Sequence, residues 1–144
     1  MNQYALDPSN LYRTAYFNKL NNQIIINGII IPVYDVVPDT AKAPYIIISS
    51  STLTPILNNS GYGYSANMTI DIVTRFNSGG GKKLVDDISN EIFKIILTRE
   101  KFYKDENWHI YTSKLDSTRY FENQSGTGIV IRKLISFENK IQQL

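Results

Sequence analysis

The sequence predicts an α+β fold: an antiparallel β-sheet packed against one long amphipathic helix, with a short helix near the N-terminus. Three observations predict it. Residues 67–76 alternate, with Met68, Ile70, Ile72 and Phe76 on one face and Asn67, Thr69, Asp71 and Arg75 on the other; Val73 alone breaks the pattern. That period of two is the mark of a half-buried strand. Residues 82–98 place Leu84, Ile88, Ile92 and Ile95/Ile96 at helical spacing, with Asp86, Asp87, Ser89, Asn90 and Glu91 on other faces. Strand-like segments lie on both sides of this helix, and consecutive strands joined by short connections pair as antiparallel neighbours.

The elements follow in order. Residues 1–9 read as a loose arm, in which Asp7-Pro8-Ser9 is turn chemistry and Ser9 or Asn10 is a candidate helix cap. Leu11, Ala15, Phe17 and Leu20 predict a helix over 10–20, stopped by Asn21-Asn22. Asn27-Gly28 between Ile24–Ile26 and Ile29–Ile31 suits a tight hairpin, because both central positions of a type I′ turn need positive φ. Pro32 interrupts, Val33–Val37 continues as an edge strand, and Pro38 ends it. Pro44–Ser49 is apolar on both faces and predicts a central strand. Residues 50–65, rich in Ser, Asn and Gly, read as a loop. Asn77–Gly81 breaks the chain before the 82–98 helix. Residues 99–107 are a polar connection, Trp108–Leu115 a strand, and 116–127 a polar loop or turn. Gly128–Phe137 is the last strand, and 138–144 a polar tail. The whole is one domain over 1–144, with 1–9 and 138–144 as flexible ends.

Composition narrows the function. A chain of 144 residues with 42% hydrophobic and 19% charged residues can bury a core without disulfides or metal. There is no Cys, which removes disulfides, thiolate metal sites and cysteine nucleophiles, and fits synthesis in a reducing cytoplasm. The formal charge of +2 does not argue for a polyanion partner, and the basic residues form no run. The start, Met1–Tyr4, lacks the basic and apolar regions of a signal peptide. The apolar runs fall far short of the ~18–20 residues that span a bilayer, so no membrane partner is expected. Ten tyrosines are more than a domain this size needs, and Tyr is favoured in both strands and protein interfaces.

No motif carries chemistry. Ser78-Gly79-Gly80-Gly81-Lys82-Lys83 precedes a helix but lacks the Ser or Thr that a phosphate loop places after its lysine. Asp86, Asp87 and Glu91 could hold a cation, but lysines 82, 83 and 94 intersperse and a solvated helix face explains them better. His109 is the only histidine, so no His-pair metal site exists; beside Trp108 on a strand it reads as structural. The expectation is a non-enzyme with no catalytic residue, no metal and no cofactor. Two other classes stay open. One is a small phosphate-ligand-binding enzyme using Lys82 and Lys83 with Asp86 and Asp87. The other is a nucleic-acid-binding module using Arg75, Lys82, Lys83 and Arg132, which requires those groups to converge.

The order of motifs resembles a known family. A short helix leads to Val33-Tyr34-Asp35 and Pro38, then Ala43-Pro44-Tyr45-Ile46-Ile47-Ile48. An alternating strand closes with Val73-Thr74-Arg75-Phe76, a glycine break precedes one amphipathic helix, and the last strands carry Trp108 and Gly128-Ile129-Val130-Ile131-Arg132. Over roughly residues 10–137 this pattern is similar to the tail-terminator and tail-completion proteins of tailed bacteriophages, also called minor tail or neck-ring proteins. The resemblance implies a structural virion protein, made in the host cytoplasm. It would form a homo-oligomeric ring of roughly six copies, with roughly twelve as the alternative in a short-tailed virus. Such a ring terminates the tail or joins it to the head-connector complex, touching portal, adaptor or tail-tube proteins and letting genomic DNA pass. On that reading, contacts between subunits are expected from segments 55–65, 77–81 and 116–127: Tyr62 and Tyr64, then Ser78, Gly79 and Gly80, then Arg119, Tyr120 and Asn123.

Overall fold

A computed structural model describes residues 4–58 and 61–144. The order of elements is α1 (Ser9–Leu20), β1 (Ile25–Ile26), β2 (Ile29–Ile30), β3 (Val33–Tyr34), β4 (Tyr45–Asn58), β5 (Gly61–Phe76), α2 (Lys83–Ile96), β6 (Tyr103–Lys104), β7 (Trp108–Ser125) and β8 (Gly128–Gln143). One six-stranded sheet runs β3-β4-β5-β8-β7-β6, and β1-β2 form a separate hairpin. All neighbours in the large sheet are antiparallel except β3 and β4.

The expected fold class is corrected. The chain is mostly sheet, 51% strand against 19% helix, curled into a six-strand half-barrel with two short helices and no long amphipathic helix. The physical reason lies in the segments read as loops. Residues 50–58 and 61–65 fall in β4 and β5, which pair from Tyr45↔Val73 to Asn58↔Gly61. Residues 116–125 continue β7, and 138–143 continue β8. Ser, Thr and Asn in these stretches resemble loop composition, but a sheet with one uncovered face accepts them on that face. Asn59 and Ser60, part of the 55–65 segment, lie outside the described residues, as do Met1–Gln3 of the arm.

Both helices cover the same face of the sheet. Along β8, Ile131, Lys133, Ile135, Phe137, Asn139, Ile141 and Gln143 are buried, and the alternate residues are more exposed. The helices reach this inner face directly. Tyr12 and Tyr16 on α1 bond Asn139, and Phe93 on α2 packs edge-on against Phe137 with centroids 5.9 Å apart. Ile88 and Ile92 are fully buried, as the apolar stripe requires. On α1 the deeply buried residues are Tyr12, Ala15, Tyr16 and Leu20, while Leu11 and Phe17 are half-buried. Neither Ser9 nor Asn10 caps this helix by side chain; instead Asp7 accepts from the Ser9 N–H at 2.9 Å and its hydroxyl at 2.6 Å.

The tight hairpin is as the sequence predicts, with Asn27 at φ 51° and Gly28 at φ 80°. The strand expected over Val33–Val37 is shorter, Val33–Tyr34 alone, and covers β4 only at Ile46 and Ile47. The curl has a local cause. Ser49 in β4 and Tyr111 and Asp116 in β7 are each skipped in the pairing, between Ile48/Ser50, Ile110/Thr112 and Leu115/Ser117. The registers place the Ser49 and Asp116 bulges at one level of the sheet, since Ser50, Thr69, Ser136 and Ser117 form one row. Bulges bend and twist a strand, so the two flanking strands bend together.

Candidate subunit interface

The most unusual surface is β7. Beyond Ile110, where β6 stops pairing with it, this strand has no strand neighbour on its outer side among the described residues. From Tyr111 to Gln124 all but half-buried Ser113 are exposed, on both faces of the sheet. Tyr111, Leu115, Tyr120 and Phe121 are large apolar residues exposed on this one strand. A long free strand edge carrying aromatic side chains is a template for pairing with another chain.

Side chains at one end of this edge are held in place rather than loose. The Tyr120 hydroxyl donates to Asp86 Oδ1 at 2.6 Å, and Lys133 Nζ donates to the same oxygen at 2.9 Å. Lys82 and Lys133 each place the ammonium 5.0 Å from the centre of the Tyr120 ring. Partial burial works against the Asp86 carboxylate. The bonds from Lys133 and Tyr120 and the charges of Lys133 and Lys82 outweigh it, so its pKa lies below the ordinary value. On the other face of the strand the Arg119 guanidinium stacks 5.1 Å from the Phe121 ring.

The structure sorts the residues singled out from sequence into two groups. Arg119, Tyr120 and Asn123 lie on the β7 edge. Ser78, Gly79 and Gly80 lie near them, in the exposed connection between β5 and α2, at whose far end Lys82 reaches Tyr120. Gly80 has φ 91°, and a Cβ there would collide with the Phe76 ring, so only glycine fits this turn. Tyr62 and Tyr64 lie at the opposite end of the sheet and on strand β5 rather than in a loop. Tyr62 is exposed; Tyr64 is half-buried, tilts against Trp108 with centroids 6.5 Å apart, and donates to the Leu6 carbonyl at 2.9 Å. Phe121 was missed because 116–127 read as a loop, and Leu115 because it ended the expected strand Trp108–Leu115; alternation of Thr118, Tyr120 and Glu122 against Arg119, Phe121 and Asn123 was the available signal.

The groups weighed for other chemistries are engaged elsewhere. Lys83 pairs with Asp87 at 2.7 Å and Lys94 with Glu91 at 2.9 Å. Among the described residues no three His, Cys, Asp or Glu side chains gather as a metal site. Arg75 and Arg132 line one pocket of about 300 Å³ on the outer sheet face with Tyr45 and Val73. Lys82 and Lys83 lie at the start of α2, away from it, and Arg132 is ion-paired with buried Asp71. The convergence that a nucleic-acid module requires is therefore incomplete. No helix among the described residues is long and apolar enough to cross a membrane.

No protein-family profile matches the chain, and no curated protein matches it. Among solved structures, a chain from the virion of a native gene transfer agent particle is similar, with a TM-score of 0.69 and 11% identity. The match covers 94% of this chain and 99% of that one. At this identity the likeness establishes a shared fold over nearly the full length of both chains.

Proposed function

We propose that this chain is a structural virion protein that assembles with copies of itself into a ring at the tail or neck of a phage-like particle. It terminates the tail or joins it to the head-connector complex and lets DNA pass. The observation that carries the reading is the fold likeness to a chain of a gene transfer agent virion, which spans 94% of this chain and leaves almost nothing of either over. The order of motifs that resembles the tail-terminator and tail-completion family supports the same assignment. So does the free β7 edge, whose aromatic residues have no role in the core of the isolated chain. Catalysis is not part of the proposal: Lys83 and Lys133 are tied to carboxylates, and His109 packs beside Tyr111.

The test is made on particles and on the purified protein. Deleting the gene from its particle-producing host should leave heads and tails unjoined, or tails of uncontrolled length, in electron micrographs. Native mass spectrometry of the purified chain should give one closed multiple of 16.4 kDa. Normal particles from the deletion strain would end the proposal.

A further inference from the structure

We propose that neighbouring copies join edge to edge, with β7 of one copy adding antiparallel to β4 of the next, so that one sheet runs across each subunit boundary. This deepens the ring reading and rests on it.

Strand direction permits it. The four long strands lie in the order β4-β5-β8-β7 and alternate, so the two outer ones run in opposite directions. Rotating a copy about an axis along the strands sets its β4 antiparallel to the first copy's β7, with the same sheet face outward. Such a contact is heterologous, and a rotation without translation closes it into a ring.

The free stretches of the two edges overlap over one set of rows, beyond which β7 stays open to Gln124. The registers align Thr54, Ser65, Lys140 and Thr112 in one row, and Ser50, Thr69, Ser136 and Ser117 in another. Between these rows neither edge has a strand partner among the described residues. The window ends at the same row on both sides. Pro55 removes a backbone donor from β4 in the row of Ile110, where β6 begins to cover β7. At the other end β3 covers β4 at Ile46 and Ile47, just past the bulges at Ser49 and Asp116. No axial shift is needed to bring the two open windows together.

Charge favours this pairing over β7 against itself. The exposed edge of β7 carries Lys114, Asp116, Arg119 and Glu122, whereas residues 49–58 of β4 carry no charge. Like charges directly opposite destabilise a ladder. A neutral β4 presents none in any register, while β7 on β7 must avoid rows that set Lys114 on Lys114 or Arg119 on Arg119.

The chain has no Cys, so introduced cysteines report without background. Thr52 and Lys114 share a row, and both are exposed. The full-length Thr52→Cys/Lys114→Cys variant, oxidised and run without reductant, should give a ladder of covalent oligomers that collapses to monomer with dithiothreitol. Thr54→Cys/Lys114→Cys, offset by two residues, should give a weaker one. Each single variant should stay monomeric on the gel. Covalent dimers from Lys114→Cys alone would mean β7 pairs with itself and would overturn the proposal. So would oligomers in native mass spectra without a ladder from either double variant; that result leaves the ring reading standing. A purely monomeric native mass spectrum at every concentration, with no ladder, defeats both.

Discussion

Tyr12 and Asn139 stand 127 positions apart in sequence, yet the Tyr12 phenol donates to the Asn139 Oδ1 at 2.6 Å in the core. Tyr16 donates to the same oxygen at 2.6 Å, and the Asn139 amide donates to the Thr112 carbonyl at 2.8 Å and the Ser113 hydroxyl at 2.7 Å. One side chain thus ties α1, β7 and β8 together, in the row of Ser113, where β7 has already left the cover of β6 at Ile110. Burial raises the pKa of both phenols, so they stay neutral donors. Asn139→Leu leaves two buried hydroxyls and a carbonyl without partners and should cost about 2–5 kcal/mol. Tyr12→Phe removes one donor cleanly and should cost about 0.5–1.5 kcal/mol. Urea unfolding of the two variants checks this; equal midpoints would show that the network contributes nothing beyond one bond.

Ile92 is fully buried at the centre of the α2 stripe. Ile92→Ala should destabilise by about 2–5 kcal/mol, the range for deleting a large apolar side chain from a packed site. The exposed Ile29 on the β1-β2 hairpin is the control, because its side chain already meets water. Ile29→Ala should change stability by less than about 0.5 kcal/mol. Thermal melts of both would settle the comparison, and a mild Ile92 variant would place the core elsewhere.

The sequence made parts of this fold legible where residue pattern and burial agree. The strand over 67–76 and the stripe through Ile88 and Ile92 are both present, with Met68, Ile70 and Ile72 buried; the alternation itself fails at 70–74, where Asp71, Val73 and Thr74 are buried too. The Asn27-Gly28 turn was legible because positive φ restricts which residues can stand there. The balance of sheet and helix was not. Ser50–Thr54 and Ser117–Gln124 have the composition of loops, and only their place on the uncovered face and edges of a sheet makes them strands. Tyr12 and Tyr16 were hidden for a different reason. A tyrosine is amphipathic, and sequence does not reveal that Asn139 will satisfy two hydroxyls inside the core. For the candidate interface, Arg119, Tyr120 and Asn123 were visible as polar and aromatic residues in a suspect segment. The strand that aligns them with Phe121 was not.

His109 is the only histidine and so gives a single imidazole resonance to follow. Its partial burial, then the positive charges of Lys104 and Lys101, hold its pKa below the ordinary value of 6.5. The sign for stability follows. Between the folded and unfolded values the unfolded chain binds a proton that the native chain does not, so stability rises with pH across that interval and falls as pH drops below 6.5. An NMR titration of the imidazole should find a midpoint below 6.5 in the folded protein. His109→Gln should flatten the pH dependence of unfolding in that window. A midpoint at or above the ordinary value would contradict the charge environment described here.

Asp86 holds the free edge to the helix, because both Tyr120 and Lys133 bond its Oδ1. Lys133 is the buried member, with 10% of its side chain exposed against 47% for Asp86. Removing the carboxylate therefore strands a cation in a partly dry site, whereas removing the lysine leaves a solvated anion. Asp86→Asn should destabilise by about 1–3 kcal/mol, the range for leaving a buried polar group without its partner. Lys133→Met, which keeps the buried stem, should cost less. Because the Asp86 pKa is depressed, its contribution is present above 3.8 and is lost as pH falls through the lower folded value. The difference between wild type and Asp86→Asn should therefore shrink in strong acid. Tyr120→Phe keeps the ring beneath Lys82 and Lys133 but frees the strand from Asp86, so amide exchange along 117–124 should speed up more than in the core of β8. Urea midpoints across the pH range, with hydrogen exchange on the Tyr120 variant, measure the two effects separately. Unchanged exchange in β7 would show that the ring stacking, and not the hydroxyl, fixes this edge.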